Sequence, residues 1–189
     1  QMQRAHTVGS VPQRYRDAKL SDARQEVQDF AAAFLRGENP SGLLLTGSYG
    51  TGKTHDACSV LNRCQPETYR LLVFVNVPDL LDEIRDGYRH YSHSGEKLFD
   101  VITGKCRLAV LDDLGSESAT DWAVERVQSI INARYSKCLP TIVTTNYGAA
   151  GLIEHYGKAM EGTSARRMVS RLSEMCQTVV YSGQDRRLA

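Results

Sequence analysis

Apolar residues recur along this chain in two rhythms, and the alternation between them sets the expected architecture. Four short runs, Gly42–Thr46, Leu71–Val75, Leu108–Leu111 and Thr141–Thr144, are Leu-rich or β-branched and do not alternate with polar residues; a fifth, Thr178–Tyr181, lies near the end of the chain. Continuous short runs of this kind are what strands covered on both faces require. Between them the apolar positions fall three and four apart. Val27, Phe30, Ala31, Phe34 and Leu35 form one stripe, on a helix expected to run from a Ser21 cap to about Arg36, with Gly37 as its stop. Further helices are expected over Lys53–Arg63, from Pro78 through Leu80, Leu81 and Ile84, and over about Ser94–Thr103. A long one capped by Thr120 carries Trp122, Val127, Ile130, Ile131 and Tyr135. A short one holds Leu152 and Ile153, and Arg166–Glu174 carries Met168, Val169 and Leu172. Helices alternating with buried strands imply βαβ crossovers, so the expected class is α/β, with a five-stranded parallel sheet. Residues 1–15, polar with Gly9, Ser10 and Pro12, read as an arm or linker ahead of one domain over 16–189.

Composition narrows the functions open to such a domain. Of 189 residues, 41% are hydrophobic, which suffices for a core, and the net charge is +1 with a pI near 7.8. A dedicated duplex-DNA binder is usually more basic, although a local basic stripe stays open. No run approaches the ~20 apolar residues of a membrane helix. No charged-then-apolar leader opens the chain, so a cytoplasmic location is expected. Cysteines stand at 58, 64, 106, 138 and 176, an odd number with no CxxC pair. Free thiols in a reducing compartment are therefore expected, in place of a disulfide framework or a zinc site.

The chemistry concentrates after the first strand. Gly47-Ser48-Tyr49-Gly50-Thr51-Gly52-Lys53-Thr54 matches G-x-x-x-x-G-K-[ST]. Glycines let the backbone turn tightly and aim its N–H groups at phosphates. Lys53 is placed for the β- and γ-phosphates and the Thr54 hydroxyl for Mg²⁺, and the helix that follows turns its positive end to the same anion. The strand ahead and the helix behind argue against a chance match. ATP or ADP with Mg²⁺ is the expected ligand. The candidate nucleotide-contacting set is Gly47 to Thr54 together with His55.

Two strand tips add candidate groups. Leu108–Leu111 ends in Asp112-Asp113, two carboxylates that repel each other unless a cation lies between them. In phosphate-loop enzymes a carboxylate at such a tip holds the metal, which points to Asp112, with Asp113 aimed at the attacking water. The plainer alternative is a pair of turn-forming aspartates before Gly115; Glu117 reads as a solvated loop residue. Asn146 ends the Thr144-Thr145-Asn146 tip. It serves either to bond the attacking water or γ-phosphate, or simply to form the turn before Tyr147-Gly148. Arg167 and Arg171 share a face of one helix, with Arg166 beside them. This is either a solvated face or a source of an arginine that completes a neighbouring subunit's site.

Taken together, GSYGTGKT, LAVLDDLGSE, TDWAVERVQSIINARY, LPTIVTTNY and RRMVSRLSEM, in this order, resemble the AAA+ ATPases of the DnaC/DnaI helicase-loader group and the related transposition ATPase IstB. The likeness spans about Val11 to Leu188. It implies a three-layer phosphate-loop fold with Gly47–Thr54 as Walker A, Asp112 and Asp113 as Walker B, Asn146 as sensor 1 and Arg171 as an arginine finger. Arg187 would match a terminal arginine that contacts nucleotide, with Arg186 competing for that role. The second acidic residue is Asp where many AAA+ proteins have Glu. The helical lid common in AAA+ proteins is not expected, and a helicase-binding region is expected to precede Gln1. The resemblance further implies a replicative hexameric helicase as partner. It implies single-stranded DNA along residues 85–97, where Arg85, Tyr88, Arg89, His90, Tyr91, His93 and Lys97 interleave charge and aromatic rings. The alternative for that segment is the wet face of an amphipathic helix. A finger acting between subunits would place ATP at the interface of a homo-oligomer. Competing functions are an IstB-like transposition helper, a small-molecule kinase and a nucleotide-gated adaptor.

Overall fold

A computed structural model describes residues 10–68, 71–90, 94–183 and 185, without the side chains of Glu67, Tyr88, Arg89 and His90. Its strands are β1 (Gly42–Gly47), β2 (Leu72–Asn76), β3 (Leu108–Asp112), β4 (Thr141–Thr145) and β5 (Cys176–Tyr181). All pairings are parallel, in the order β2-β3-β4-β1-β5. Alternate residues of each strand serve opposite layers. Leu43, Leu45, Phe74, Val110 and Ile142 pack under α1 (Gln25–Leu35) and α2 (Lys53–Cys64). Leu44, Val75, Ala109, Leu111 and Val143 face the other way. There they meet α3 (Val77–His90), α5 (Asp121–Ser136), α6 (Ala149–Tyr156) and α7 (Gly162–Met175). The central strands read as continuous apolar runs because both faces are covered.

The order places β4 between β1 and β3. Three loops therefore leave the same sheet end side by side: the phosphate loop after β1, the acidic pair after β3, and the Thr144–Asn146 tip between them. Thr46 pairs with Thr145 in register, and Leu111 with Val143. This is the carboxyl-end crevice where open α/β sheets bind ligands.

Several boundaries depart from the sequence reading. Ser21 does not cap a helix. It lies in a 3₁₀ turn, Leu20–Asp22, and donates to Asp22 at 3.0 Å. Helix α1 starts later, after Arg24, whose N–H is taken by the distant Asp56 carboxylate at 3.2 Å. The helix expected over Ser94–Thr103 is α4 (Ser94–Asp100), which then widens into a π-helical turn over Val101–Lys105. Helix α7 begins at Gly162, and β5 follows it with no residue between. β5 is also an edge strand exposing Gln177, Thr178 and Val180, so it is not buried on both faces. Thr120 does cap α5, its side chain accepting from the Ala123 N–H at 3.3 Å.

Candidate functional site

A cavity of about 450 Å³ opens at the carboxyl ends of the strands. Tyr49, Gly50, Thr51, Gly52, Lys53, Thr54 and His55 line it from the phosphate loop and α2, and Asp112, Asp113, Thr144 and Asn146 from the neighbouring tips. Gly47 and Ser48 stand behind this lining, and their carbonyl oxygens accept from Lys53 Nζ at 2.8 and 2.7 Å. Thr51 Oγ1 ties the loop to itself by donating to Ser48 O at 2.8 Å. Gly52 precedes α2 in a left-handed conformation and offers no side chain to cap it. The leading N–H groups of that helix are left for an anion, as a helix start favours.

The loop is also shaped from outside. A Cβ on Gly47 would come within 2.0 Å of the Tyr181 carbonyl oxygen on β5. A Cβ on Gly50 would collide with the Asp185 carboxylate, which rests on that turn.

Opposite the loop, Asp112 is buried and accepts from Thr54 Oγ1 at 2.9 Å and Thr144 Oγ1 at 2.7 Å. Burial pushes its carboxyl above the ordinary range; bonds from Thr144 and Thr54 pull it down, Asp113 pushes it up again, and Asn76 pulls it down. Asp113 reaches the same cavity because its backbone is left-handed, φ 61°. In an extended strand its side chain would face away from that of Asp112. The turn is held by the Asp113 N–H donating to Thr144 Oγ1 at 2.9 Å and the Leu114 N–H to Thr144 O at 2.9 Å.

Asn146 joins the two walls. Its Oδ1 accepts from Lys53 Nζ at 2.9 Å, and its Nδ2 donates to Asp113 Oδ1 at 3.2 Å. The turn-forming alternative leaves both contacts unexplained. Among the described residues no three His, Cys, Asp or Glu side chains cluster in a way that could hold a metal by themselves. The donor set instead suits Mg²⁺, which binds through one or two protein oxygens and completes its shell with phosphates and water. Thr54 and Asp112 are adjacent hard-oxygen groups, and a cation there relieves the penalty on the buried carboxylate.

Other expected residues lie elsewhere. Glu117 is buried rather than solvated: it accepts from the Gly115 N–H at 2.9 Å and from Tyr156 Oη at 2.7 Å. Burial and the adjoining Glu117 push the Tyr156 phenol well up. Arg171 does not line the cavity. It reaches Asn132 Oδ1 on α5 and covers the Tyr135 ring at 5.6 Å, while Tyr135 Oη bonds Glu174 at 2.9 Å. Arg166 and Arg167 are exposed. Arg186 and Arg187 lie outside the described residues. So do Tyr91 and His93 and the side chains of Tyr88, Arg89 and His90. Of the remaining segment, Arg85 covers the Trp122 ring at 5.0 Å and sits 3.7 Å from Asp82, and Lys97 is exposed.

The parts played by Thr144, Arg14, Tyr15 and Asp56 were not read from the sequence. Thr144 holds both halves of the acidic pair. Arg14 and Tyr15, assigned above to an arm, line the cavity away from the acidic tips. His55 Nδ1 lies 3.1 Å from Asp56 Oδ1, whose other oxygen accepts from Tyr181 Oη at 2.7 Å. A Thr pair ahead of Asn146 was the one available signal for Thr144.

A family model described as IstB-like ATP binding protein matches residues 6–189. Replicative helicase loader DnaI of Bacillus subtilis is 28% identical over 168 residues, covering 86% of this chain and 53% of that protein. Replicative helicase loader DnaC of Escherichia coli K12 is 28% identical over 127 residues, covering 67% and 49%. The chain thus spans about half the length of both relatives. A crystal structure of DnaI matches with a TM-score of 0.77 at 25% identity, covering 90% of this chain and 94% of that one.

Proposed function

The chain belongs to the family of IstB-like ATP-binding proteins, and from that premise we propose that it is the ATP-hydrolysing domain of a replicative helicase loader. One observation carries the hydrolytic part: the Asn146 amide links the Lys53 ammonium to the Asp113 carboxylate across the cavity. A binding-only adaptor has no need of that link. DnaI and DnaC, both similar over most of this chain, carry the loader name.

The proposed roles follow from position. The loop from Gly47 to Thr54 and the start of α2 receive the triphosphate. Lys53 exchanges the Gly47 and Ser48 carbonyls for the β- and γ-phosphates. Asp113 takes up the attacking water and its proton, and Asn146 fixes that carboxylate relative to the γ-phosphate. Thr54 and Asp112 would hold Mg²⁺, which would supply neutralisation of charge on the phosphate oxygens. Arg171 sits between α7 and α5, beside a second cavity bordered by Gly42 and Pro140, at the amino ends of β1 and β4. It is thus remote from the site of its own chain, as a finger serving a neighbouring subunit would be. Arg187 is proposed to touch nucleotide, and residues 85–97 to hold single-stranded DNA with a steep salt dependence. Among the described residues, no helix is long and apolar enough to cross a membrane.

Phosphate release, measured with and without single-stranded DNA, tests the proposal. Stimulation by DNA, with a loss of ~10² to 10⁴ in rate for Asp113→Asn, is expected. Unchanged turnover in that variant would refute the role of Asp113. Capture of a hexameric replicative helicase by the full-length protein tests the loader reading. The family description favours a second reading, a transposition helper, for which a transposase would be captured instead. Transfer of labelled phosphate to a metabolite would point to a kinase.

A further inference from the structure

One side chain on α2 fastens the segment that closes the far side of the cavity. Asn62 Nδ2 lies 2.8 Å from Tyr15 O, 3.1 Å from Arg16 O and 3.1 Å from Ala18 O. A primary amide has two N–H donors, so both are committed to this one turn of backbone. The turn opens with a 3₁₀ stretch over Gln13–Tyr15, and the Tyr15 carbonyl also accepts from the Ala18 N–H at 3.2 Å. Arg14 and Tyr15, carried on it, face the cavity, and Tyr15 is partly buried against the core beneath α1 and α2. The same helix opens with Lys53 and Thr54 at the phosphate end. Asn62 stands about 12 Å further along it. A triphosphate seated at Gly50–Thr54 must send the rest of the nucleotide towards the opposite wall. The 13–18 turn brings the Tyr15 ring and the Arg14 guanidinium to that cavity, both flat groups suited to a planar base.

We propose that Asn62 is a positioning residue for base recognition: it locks the 13–18 turn to the phosphate-binding helix, so that discrimination of a nucleoside triphosphate from a bare polyphosphate depends on it. This rests on the reading of the cavity as a nucleotide site. Phosphate affinity, which arises at the other end of α2, does not pass through Asn62.

The test is calorimetric titration of the whole chain with Mg-ATP and with Mg-tripolyphosphate, for wild type and Asn62→Ala. Wild type is expected to prefer ATP. Asn62→Ala should lower that preference about tenfold, the loss of one to two backbone-directed hydrogen bonds, with tripolyphosphate affinity unchanged. In a Tyr15→Ala background the same change should have little further effect, because the wall it positions has been removed. An unaltered preference overturns the proposal, and so does an equal loss for both ligands, which would mark a general structural role. If Asn62→Ala does not fold, the ratio is read on Asn62→Ser: a fall supports the clamp and no change overturns it. A wild-type chain that takes up neither ligand overturns the nucleotide reading and the clamp with it. Normal ATP preference that survives Asn62→Ala sinks the clamp alone.

Discussion

Two buried cations stand at opposite ends of the sheet, Lys53 beside the cavity and Arg134 inside the core. Lys53, at the carboxyl end, gives its ammonium to two loop carbonyls and the Asn146 amide. Arg134, at the amino end, is fully buried. It donates to Thr141 Oγ1 at 2.7 Å, Ile102 O at 2.6 Å, Pro140 O at 2.7 Å and Cys106 Sγ at 3.2 Å. Burial lowers the guanidinium's proton affinity, against a pull from the two nearby thiols, Cys106 and Cys176. Burial likewise pushes the Cys176 thiol up to about 12. Arg134 ties α5 to the π-turn and to β4, so its bonds join three separate elements. The three Lys53 bonds named here run to a loop and a strand tip bordering a cavity, where phosphate oxygens can replace them. Burial alone does not tell a structural charge from a functional one; what the charge can exchange its partners for does.

The largest effect that would break this contrast concerns Arg134. Arg134→Ala should cost about 4 kcal/mol in urea unfolding, because it strands the Ile102 and Pro140 carbonyls and leaves a void. If the unfolding midpoint holds, the two cations are not different in kind. Next is Lys53→Ala, expected to weaken Mg-ATP about 100-fold by titration, the worth of charge-assisted hydrogen bonds, with unfolding little altered. A loss of stability like that of Arg134→Ala would make Lys53 structural too. The smallest effect sharpens the comparison from the anionic side. The folded value of Asp112 lies above its ordinary 3.8. Stability is thus lost as pH rises from about 3.8 through the raised value, above which the folded chain carries a penalised charge. Asp112→Asn should therefore stabilise the nucleotide-free protein by about 1 kcal/mol at neutral pH while weakening its response to magnesium. Thermal unfolding with and without Mg-ATP reads both.

What the sequence made legible was local. The phosphate loop is one contiguous segment whose backbone conformation its own glycines encode. The strands declared themselves by continuous apolar runs. Asn146 was ambiguous because its role depends on β4 lying between β1 and β3, a fact of strand order that no neighbouring residue states. Glu117 was misread for the same reason, since its phenol partner is 39 residues away on α6. Ser21 was a fair cap by type, but the Asp56 carboxylate took the N–H of Arg24, and the helix starts there. Arg134 was not singled out in the sequence, and its acceptors come from elements on either side of it in the chain.

The first glycine of the phosphate loop carries two constraints at once. Its Cα lies so close to the last residue of β5 that any side chain would strike the Tyr181 carbonyl, whatever the cavity holds. A chain that had lost all need for nucleotide would still be obliged to keep glycine at position 47 as long as β5 ran beside it. Of the signature's invariant letters, that one is set by a crowded seam between neighbouring strands, and a pattern search reads it as ligand chemistry.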